Sequence, residues 1–471
     1  MSHKIKVIIA LLWLSGCSIG PDYQRPTPYS ENDLSTGLGM LSGNTALPAS
    51  TWYKSWNDDT LNRLISAGLQ LNSDLKTALE NLQQARISLN ISRSQFGPQI
   101  TAKGNYLKND SFVTADNKNL EAYFQTGFDA AWELDIWGGT RRLNESNQAL
   151  LTQAYYRLQD IKNSITAEIA ADYISYRETE NLLHITEQNL DLQQKISALV
   201  QQKLKAGLAD ELAYEQAKSA VITTNMQIPQ LKALLNSYQA SLSLLTGILP
   251  QKLNLGTSTI LARLPSDHTH NLQQIPASVI LNRPDVRAVE ENLHAQNALI
   301  GNKMSALLPS VSLSGFLGWQ NTSLSPMFAS NYQIYNLGSN VNLPLWNWNR
   351  LLNEVKLQKS QTAQAATAYE KAILNALKEI RQSAKNLAEE TSRNQQALLN
   401  KETKDKILDL SLVKYQNGLI DFSDVLTAEQ NKLEAQQSYI KSLSQWYLYS
   451  IAFYKSLGGG YTTLNHNNRA D

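Results

Sequence analysis

Lys414-Tyr415-Gln416-Asn417-Gly418-Leu419-Ile420-Asp421-Phe422-Ser423-Asp424-Val425-Leu426-Thr427-Ala428 is the stretch on which the fold turns. It joins two long, proline-free segments whose apolar residues recur every three or four positions, and only Gly418 interrupts them. About 211 residues earlier, Lys203-Leu204-Lys205-Ala206-Gly207-Leu208-Ala209-Asp210 stands in the same setting. Aligned on their glycines, both stretches read Gly-Leu-x-Asp. Two helical hairpin tips, each with a carboxylate just past the turn, point to a duplicated chain whose tips share one task.

Around each tip the helical pattern is very long. Thr140 to Ala206 contains neither Gly nor Pro, and Leu150, Leu158, Ile165, Ile169, Tyr173, Tyr176, Leu183 and Leu190 keep helical spacing. About 67 residues of helix span roughly 100 Å, the length of a coiled-coil or bundle element. Asp210 is placed to cap the returning helix, which runs to Leu245-Thr246-Gly247, and Pro229 predicts a kink or break in it. The second long run, Trp348 to Asn417, returns after Gly418 and ends at Leu457-Gly458-Gly459-Gly460.

Each long helix follows a stretch of period two. In Phe124 to Trp137 one face carries Phe124, Phe128, Ala130, Trp132, Leu134 and Ile136, and the other Gln125, Asp129, Glu133 and Asp135. Such a strand suits a membrane barrel or the half-buried sheet of a soluble sandwich. Ile100 to Leu107 is its weaker partner, and Asn109 to Asn119 reads as a surface loop between them. Residues 311–319 and 335–345 alternate in the same way. Helical patterns from Thr60 to Phe96 and from Pro276 to Leu307 precede the two hairpins. Four strands cannot close a barrel, and an open edge in lipid leaves unpaired backbone groups, so membrane strands here require several chains to pool them.

The start of the chain is a targeting signal. Lys4 and Lys6 precede the apolar run Val7–Leu14 and Leu14-Ser15-Gly16-Cys17, a run too short to span a bilayer. Cys17 is the single cysteine. After it, Gly20-Pro21-Asp22-Tyr23-Gln24-Arg25-Pro26-Thr27-Pro28 and a Gly/Ser/Thr-rich stretch to Ser50 read as extended chain, with Trp52 and Trp56 anchoring it to the folded body. The boundaries expected are 1–16 signal peptide, 17–58 N-terminal segment, 59–247 first repeat, 248–276 linker, 277–457 second repeat and 458–471 tail.

Composition removes several classes. The formal net charge is +1 and charged residues make up 18%, with no basic stripe for nucleic acid. No P-loop, helical zinc pair or dinucleotide turn occurs. Gly16-Cys17-Ser18-Ile19-Gly20 matches a hydrolase elbow by letter but lies across the signal cleavage site. His268 and His270 sit in a polar loop without nearby ligands and read as surface residues. Five methionines give no support to a soft-metal relay. The chain is expected to be no enzyme and to hold no cofactor or metal.

Leu-Ser-Gly-Cys followed by Gly-Pro-Asp-Tyr-x-Arg-Pro resembles the lipoprotein branch of the TolC-like outer membrane factors. So do Leu281-Asn282-Arg283-Pro284-Asp285-Val286, Pro309 to Ser314 and Leu457-Gly458-Gly459-Gly460-Tyr461. The resemblance covers the whole mature chain. It implies acylation of Cys17 and a mainly α fold with a membrane β-barrel portion. Four strands per chain would give a twelve-stranded barrel in a homotrimer, continued by a coiled-coil helical tunnel across the periplasm. It implies the exit duct of a tripartite efflux pump for small toxic compounds, anchored in outer membrane lipids and working with a periplasmic adaptor and an inner-membrane transporter.

By the same resemblance Ala206, Gly207, Leu208 and Ala209, with Asn417, Gly418, Leu419 and Ile420, are tips that dock the adaptor. Asp424 keeps one acid of the family's Asp-Val-Leu-Asp gate and Thr427 replaces the other. Asp421, three residues earlier, stands where it can supply a second acidic ring. Ser423 occupies a position that is apolar in some relatives, and Tyr415 matches a tyrosine that holds the tips inward. Helix capping is the alternative role for both aspartates. The competing functions are an outer duct for type I protein secretion and a periplasmic coiled-coil spacer without a pore.

Overall fold

The computed structural model describes residues 18–39, 51–114, 117–262, 264, 275–325 and 327–459. The signal segment 1–16, Cys17, His268, His270 and the tail from 460 lie outside the described residues. The elements are α1 (Glu31–Leu38), α2 (Asp59–Leu71), α3 (Ser73–Ser94), β1 (Gln99–Thr114), β2 (Asn117–Leu134), α4 (Gly139–Lys205) and α5 (Glu211–Thr246). Then follow α6 (Ser278–Asn282), α7 (Pro284–Ser305), β3 (Ser310–Asn321), β4 (Gln333–Asn342), α8 (Trp348–Gln416) and α9 (Phe422–Ser456). The order helix, hairpin, long helix, tip, helix thus occurs twice. The fold is mainly helical with one four-stranded sheet.

Side chains set the boundaries that period alone misplaces. The run expected from Thr60 to Phe96 divides at Asn72, whose backbone turns extended. Asn72 Oδ1 accepts from Asp74 N (2.8 Å) and Leu75 N (3.0 Å), starting α3, while its Nδ2 donates to the Leu245 carbonyl (2.9 Å). The run expected from Pro276 to Leu307 divides at Arg283, because Pro284 forces its predecessor to extended backbone and then opens α7. The break expected at Pro229 is absent. Pro229 and Asn225, whose carbonyl loses its partner, are both exposed, so water can replace the missing bond.

The loop expected over 109–119 is mostly strand, since β1 runs to Thr114 and β2 starts at Asn117. β2 stops at Leu134, short of Trp137, because Asp135 accepts from Thr140 N (2.9 Å) and Arg141 N (3.1 Å) and begins α4. A short helix, α1, interrupts the extended N-terminal stretch, started by a reciprocal cap between Ser30 and Asp33.

The chain divides into two compact units. The first comprises residues up to Thr27, Glu80–Tyr155 and Ala288–Glu370. It holds the antiparallel sheet, in the order β1-β2-β3-β4. One row across the sheet reads Ala102, Phe128, Leu317, Tyr335, and the next on that face Ile100, Ala130, Gly315, Leu337. The opposite face carries the row Thr101, Asp129, Phe316, Asn336, with a Lys103–Asp129 ion pair beside it. Leu337 is 84% and Tyr335 80% exposed, so the described residues leave the β4 side of the apolar face uncovered.

In the same unit the N-terminal segment lies against the helices. Ile19 N donates to the Trp137 carbonyl (3.0 Å), and Arg142 donates to the Ile19 and Gly20 carbonyls and to Asp22 (2.6 Å). Tyr23 stacks on His294 at 4.3 Å, and Arg25 pairs with Glu290 at 2.9 Å. The docked strap thus runs from Ile19 to Arg25.

The second unit comprises Pro28–Leu79, Tyr156–Arg287 and the chain from Lys371. Trp52 stacks on Tyr454 (5.0 Å), and Trp56 meets the edge of Tyr447 (4.8 Å). The connection after α5 packs into this unit. Leu253, Leu255, Ile260 and Leu261 are buried, Arg177 donates to the Leu255 and Gly256 carbonyls, and Tyr447 donates to the Ile260 carbonyl (3.0 Å).

Candidate functional site

The two hairpin tips belong to the second unit. At the first, Gly207 has φ +72°; at the second, Gly418 has φ +70°. Both are conformations an L side chain rarely adopts. In each, the residue after the glycine donates back five positions, Leu208 N to the Lys203 carbonyl (2.8 Å) and Leu419 N to the Lys414 carbonyl (3.0 Å). The glycine N–H closes the inner bond, to Leu204 (3.0 Å) and Tyr415 (3.1 Å). These helix endings are two copies of one Schellman turn. Ala206, Gly207, Leu208, Asn417, Gly418 and Leu419 are exposed, whereas Ala209 and Ile420 pack against the core beneath.

That core draws on all four tip helices. Ile196 and Val200 of α4, Ala217 of α5, Leu408 and Tyr415 of α8 and Phe422, Val425 and Ala428 of α9 are buried together. Tyr415 meets Phe422 with ring centres 5.8 Å apart, and the Lys203 ammonium lies 3.9 Å from the Tyr415 ring centre. Burial pushes the Tyr415 hydroxyl above its ordinary pKa. The sequence singled out Tyr415 but not Lys203, Phe422 or Val425. The spacing 422, 425, 428 carries the signal for the two apolar residues; nothing local marks Lys203.

Polar residues occupy the other side of α9. Asp421, Ser423, Asp424 and Thr427 are all exposed. Asp210 accepts a capping bond from Ala213 N (2.8 Å). Its counterpart Asp421 holds the cap position without a side-chain capping bond, and its carbonyl accepts from Asp424 N (3.2 Å). Asp421 thus stands at the cap itself, three residues before Asp424. The Thr427 hydroxyl donates to the Ser423 carbonyl (2.8 Å), one turn back on the helix. Behind this face, Glu429 is 2% exposed. Burial raises its carboxyl to about 7, against the opposing pull of the Gln193 amide and Lys432. Sequence reasoning passed over Glu429 because one acid in an amphipathic helix looks like surface.

The model of the family described as outer membrane efflux protein matches residues 64–248 and again 275–459. Both ends of the second match are displaced from the first by the same interval, 64 to 275 and 248 to 459, in keeping with the duplicated tips. The chain belongs to the outer membrane efflux protein family. It is similar to the solvent efflux pump outer membrane protein SrpC of Pseudomonas putida, at 28% identity over 98% of this chain and 99% of that protein. It is also similar to the cation efflux system protein CusC of Escherichia coli K12, at 26% identity over 97% of this chain and 99% of the relative. Among solved structures, the outer-membrane channel OprN superposes with a TM-score of 0.86 at 27% identity, covering 94% of this chain and 99% of that one. An outer membrane efflux protein is therefore what the two hairpins and four long helices build. The names of these relatives are those of efflux proteins and of a channel.

Proposed function

We propose that three copies of this chain form one water-filled exit duct of a tripartite pump, lipid-anchored at Cys17, that carries small toxic compounds from the periplasm outward. The observation that carries this reading is the sheet. It has one largely exposed apolar face, one polar face and two open edges, which is unstable alone in lipid and stable once twelve strands close. The repeats 59–247 and 277–457 then supply equivalent wall segments. The exposed leucines Leu208 and Leu419, at equivalent places on the two tips, are the apolar contacts offered to an adaptor, with Ala206, Gly207, Asn417 and Gly418 allowing close backbone approach. The names of the relatives divide between solvents and cations, so the inner-membrane transporter is the component assigned cargo choice.

Purified mature protein in detergent should have the mass of three copies and give discrete conductance steps in a planar bilayer. A compact monomer, soluble without detergent and silent in the bilayer, would overturn the reading.

Threefold symmetry would bring three Asp424 and three Asp421 carboxylates toward one axis, where like charges favour bound cations and their repulsion leaves other contacts between tips to hold the mouth narrow. The double substitution Asp421→Ala, Asp424→Ala should raise single-channel conductance and weaken block by multivalent cations. Conductance and block equal to wild type would remove both residues from the gate.

A further inference from the structure

The repeat fixes how one copy meets the next along the sheet. Turns and hairpin rungs of the two halves are related by one displacement along the sequence. Gly207 matches Gly418, and Gly247 (φ +68°) matches Gly458 (φ +77°). β1 opens at Gln99 and β3 at Ser310, and the first rung of each hairpin, Gln99–Ala131 and Ser310–Asn342, obeys the same displacement. The junction between halves inside one chain is the β2–β3 ladder, which reads Phe128–Leu317, Asp129–Phe316, Ala130–Gly315 and Trp132–Leu313. The junction between copies brings β4 of one chain to β1 of the next. All adjacent strands are antiparallel and β1 and β4 are the two edges, so these edges run in opposite directions, as closure requires.

We propose that β4 pairs with β1 of a second copy in the register that the β2–β3 ladder dictates. Ser339 then lies opposite Tyr106, Asn340 opposite Asn105, Val341 opposite Gly104 and Leu343 opposite Ala102 of the next copy. The inference rests on the trimeric reading above and adds the seam to it. Two further observations support this register. Apolar faces coincide along its whole length, since Val341 and Ser339 share a face with Leu337 and Tyr335, and Gly104 and Tyr106 share a face with Ile100 and Ala102. Large side chains also meet small ones on both faces, as in Tyr106 with Ser339, Val341 with Gly104 and Leu107 with Gly338. A slip by two residues preserves the faces but sets Leu337 against Tyr106 and Ser339 against Gly104, crowding one rung and emptying the next. Pro344, with no N–H to donate, ends the seam after Leu343.

The test uses full-length chain in outer membranes, where Cys17 is the single native cysteine. Asn340→Cys with Asn105→Cys, and separately Val341→Cys with Gly104→Cys, place thiols on adjacent rungs, so one pair of each geometric type is sampled. Controls combine Asn340→Cys with Lys103→Cys or with Leu107→Cys. Directly opposed residues lie within disulfide reach and those two positions away do not, so oxidation should give roughly tenfold more covalent multimer from the matched pairs. The mass of the unsubstituted protein in detergent separates the two claims. A monomer sinks the trimer and the seam together. A trimer in which a shifted pair links as well as the matched ones, or in which neither matched pair links, overturns the seam and leaves the trimer standing.

Discussion

Among individual residues, Glu429 has the sharpest consequence. It lies one turn beyond Val425 on the returning helix, buried beside the tip core and facing Gln193 of α4. Its folded value of about 7 stands above its ordinary 4.5, so the folded tip holds the proton more tightly than the unfolded chain. The associated stability is complete below pH 4.5, declines as pH rises toward 7, and does not change further above it. Lys432, which would favour the charged form, is shared with Asp405 at 3.8 Å. Backbone hydrogen exchange over residues 414–430 should therefore be faster at pH 8 than at pH 5, after correction for the intrinsic rate. Glu429→Gln, which keeps the neutral shape, should abolish the difference. An unchanged pH dependence in that variant would place the titrating group elsewhere. The gate role proposed for the exposed aspartates 421 and 424 would act by another route, through charge across the axis, and the two effects are separable because only Glu429 is packed.

Among elements, the N-terminal strap from Ile19 to Arg25 combines charge, stacking and backbone bonds. His294 sits beneath it. Burial works against its charge, but hydrogen bonds to Glu145 (3.2 Å) and Glu291 (3.4 Å) outweigh that and raise the imidazole from 6.5 to about 9. Tyr23 thus stacks on an imidazolium at neutral pH. The stabilisation is complete below pH 6.5 and is lost as pH rises through 9. Chymotryptic cleavage after Tyr23, normalised to a free peptide of the same sequence, should be slow at pH 6.5 and faster at 9.5. His294→Ala should make it fast at both. Equal protection in the variant would assign the dock to Arg142 and Glu290 alone. The docking was not legible in the sequence, where the strap read as extended chain and nothing local paired Asp22, Tyr23 or Arg25 with residues more than a hundred positions away. The long helices, both glycine turns and the alternating strands were legible, because periodicity and turn residues are local. Asn72, Asp135 and Ser30 reset element boundaries through side-chain bonds to backbone, which no period reveals. At the candidate site the exposed residues were named in advance, while Phe422 and Lys203, whose roles depend on packing between helices distant in sequence, were not.

At the scale of the whole molecule, the two faces of the sheet should differ sharply in what they tolerate. Phe128 and Leu317 occupy the middle of the apolar face on neighbouring strands, 56% and 51% exposed in the single chain. If that face meets hydrocarbon, a cation there costs about 2–4 kcal/mol at mid-depth, and symmetry imposes the cost three times in one assembly. Leu317→Arg should therefore abolish trimer recovered from outer membranes. Asn336→Arg, on the neighbouring strand but on the polar face, should leave trimer yield near wild type while altering conductance. The contrast matters more than either variant alone. A soluble protein that buried the apolar face against other protein would lose Leu317→Arg through misfolding, yet would show no conductance for Asn336→Arg to alter. Membrane fractionation with bilayer recording of both variants therefore distinguishes a lipid-facing wall from a buried sheet.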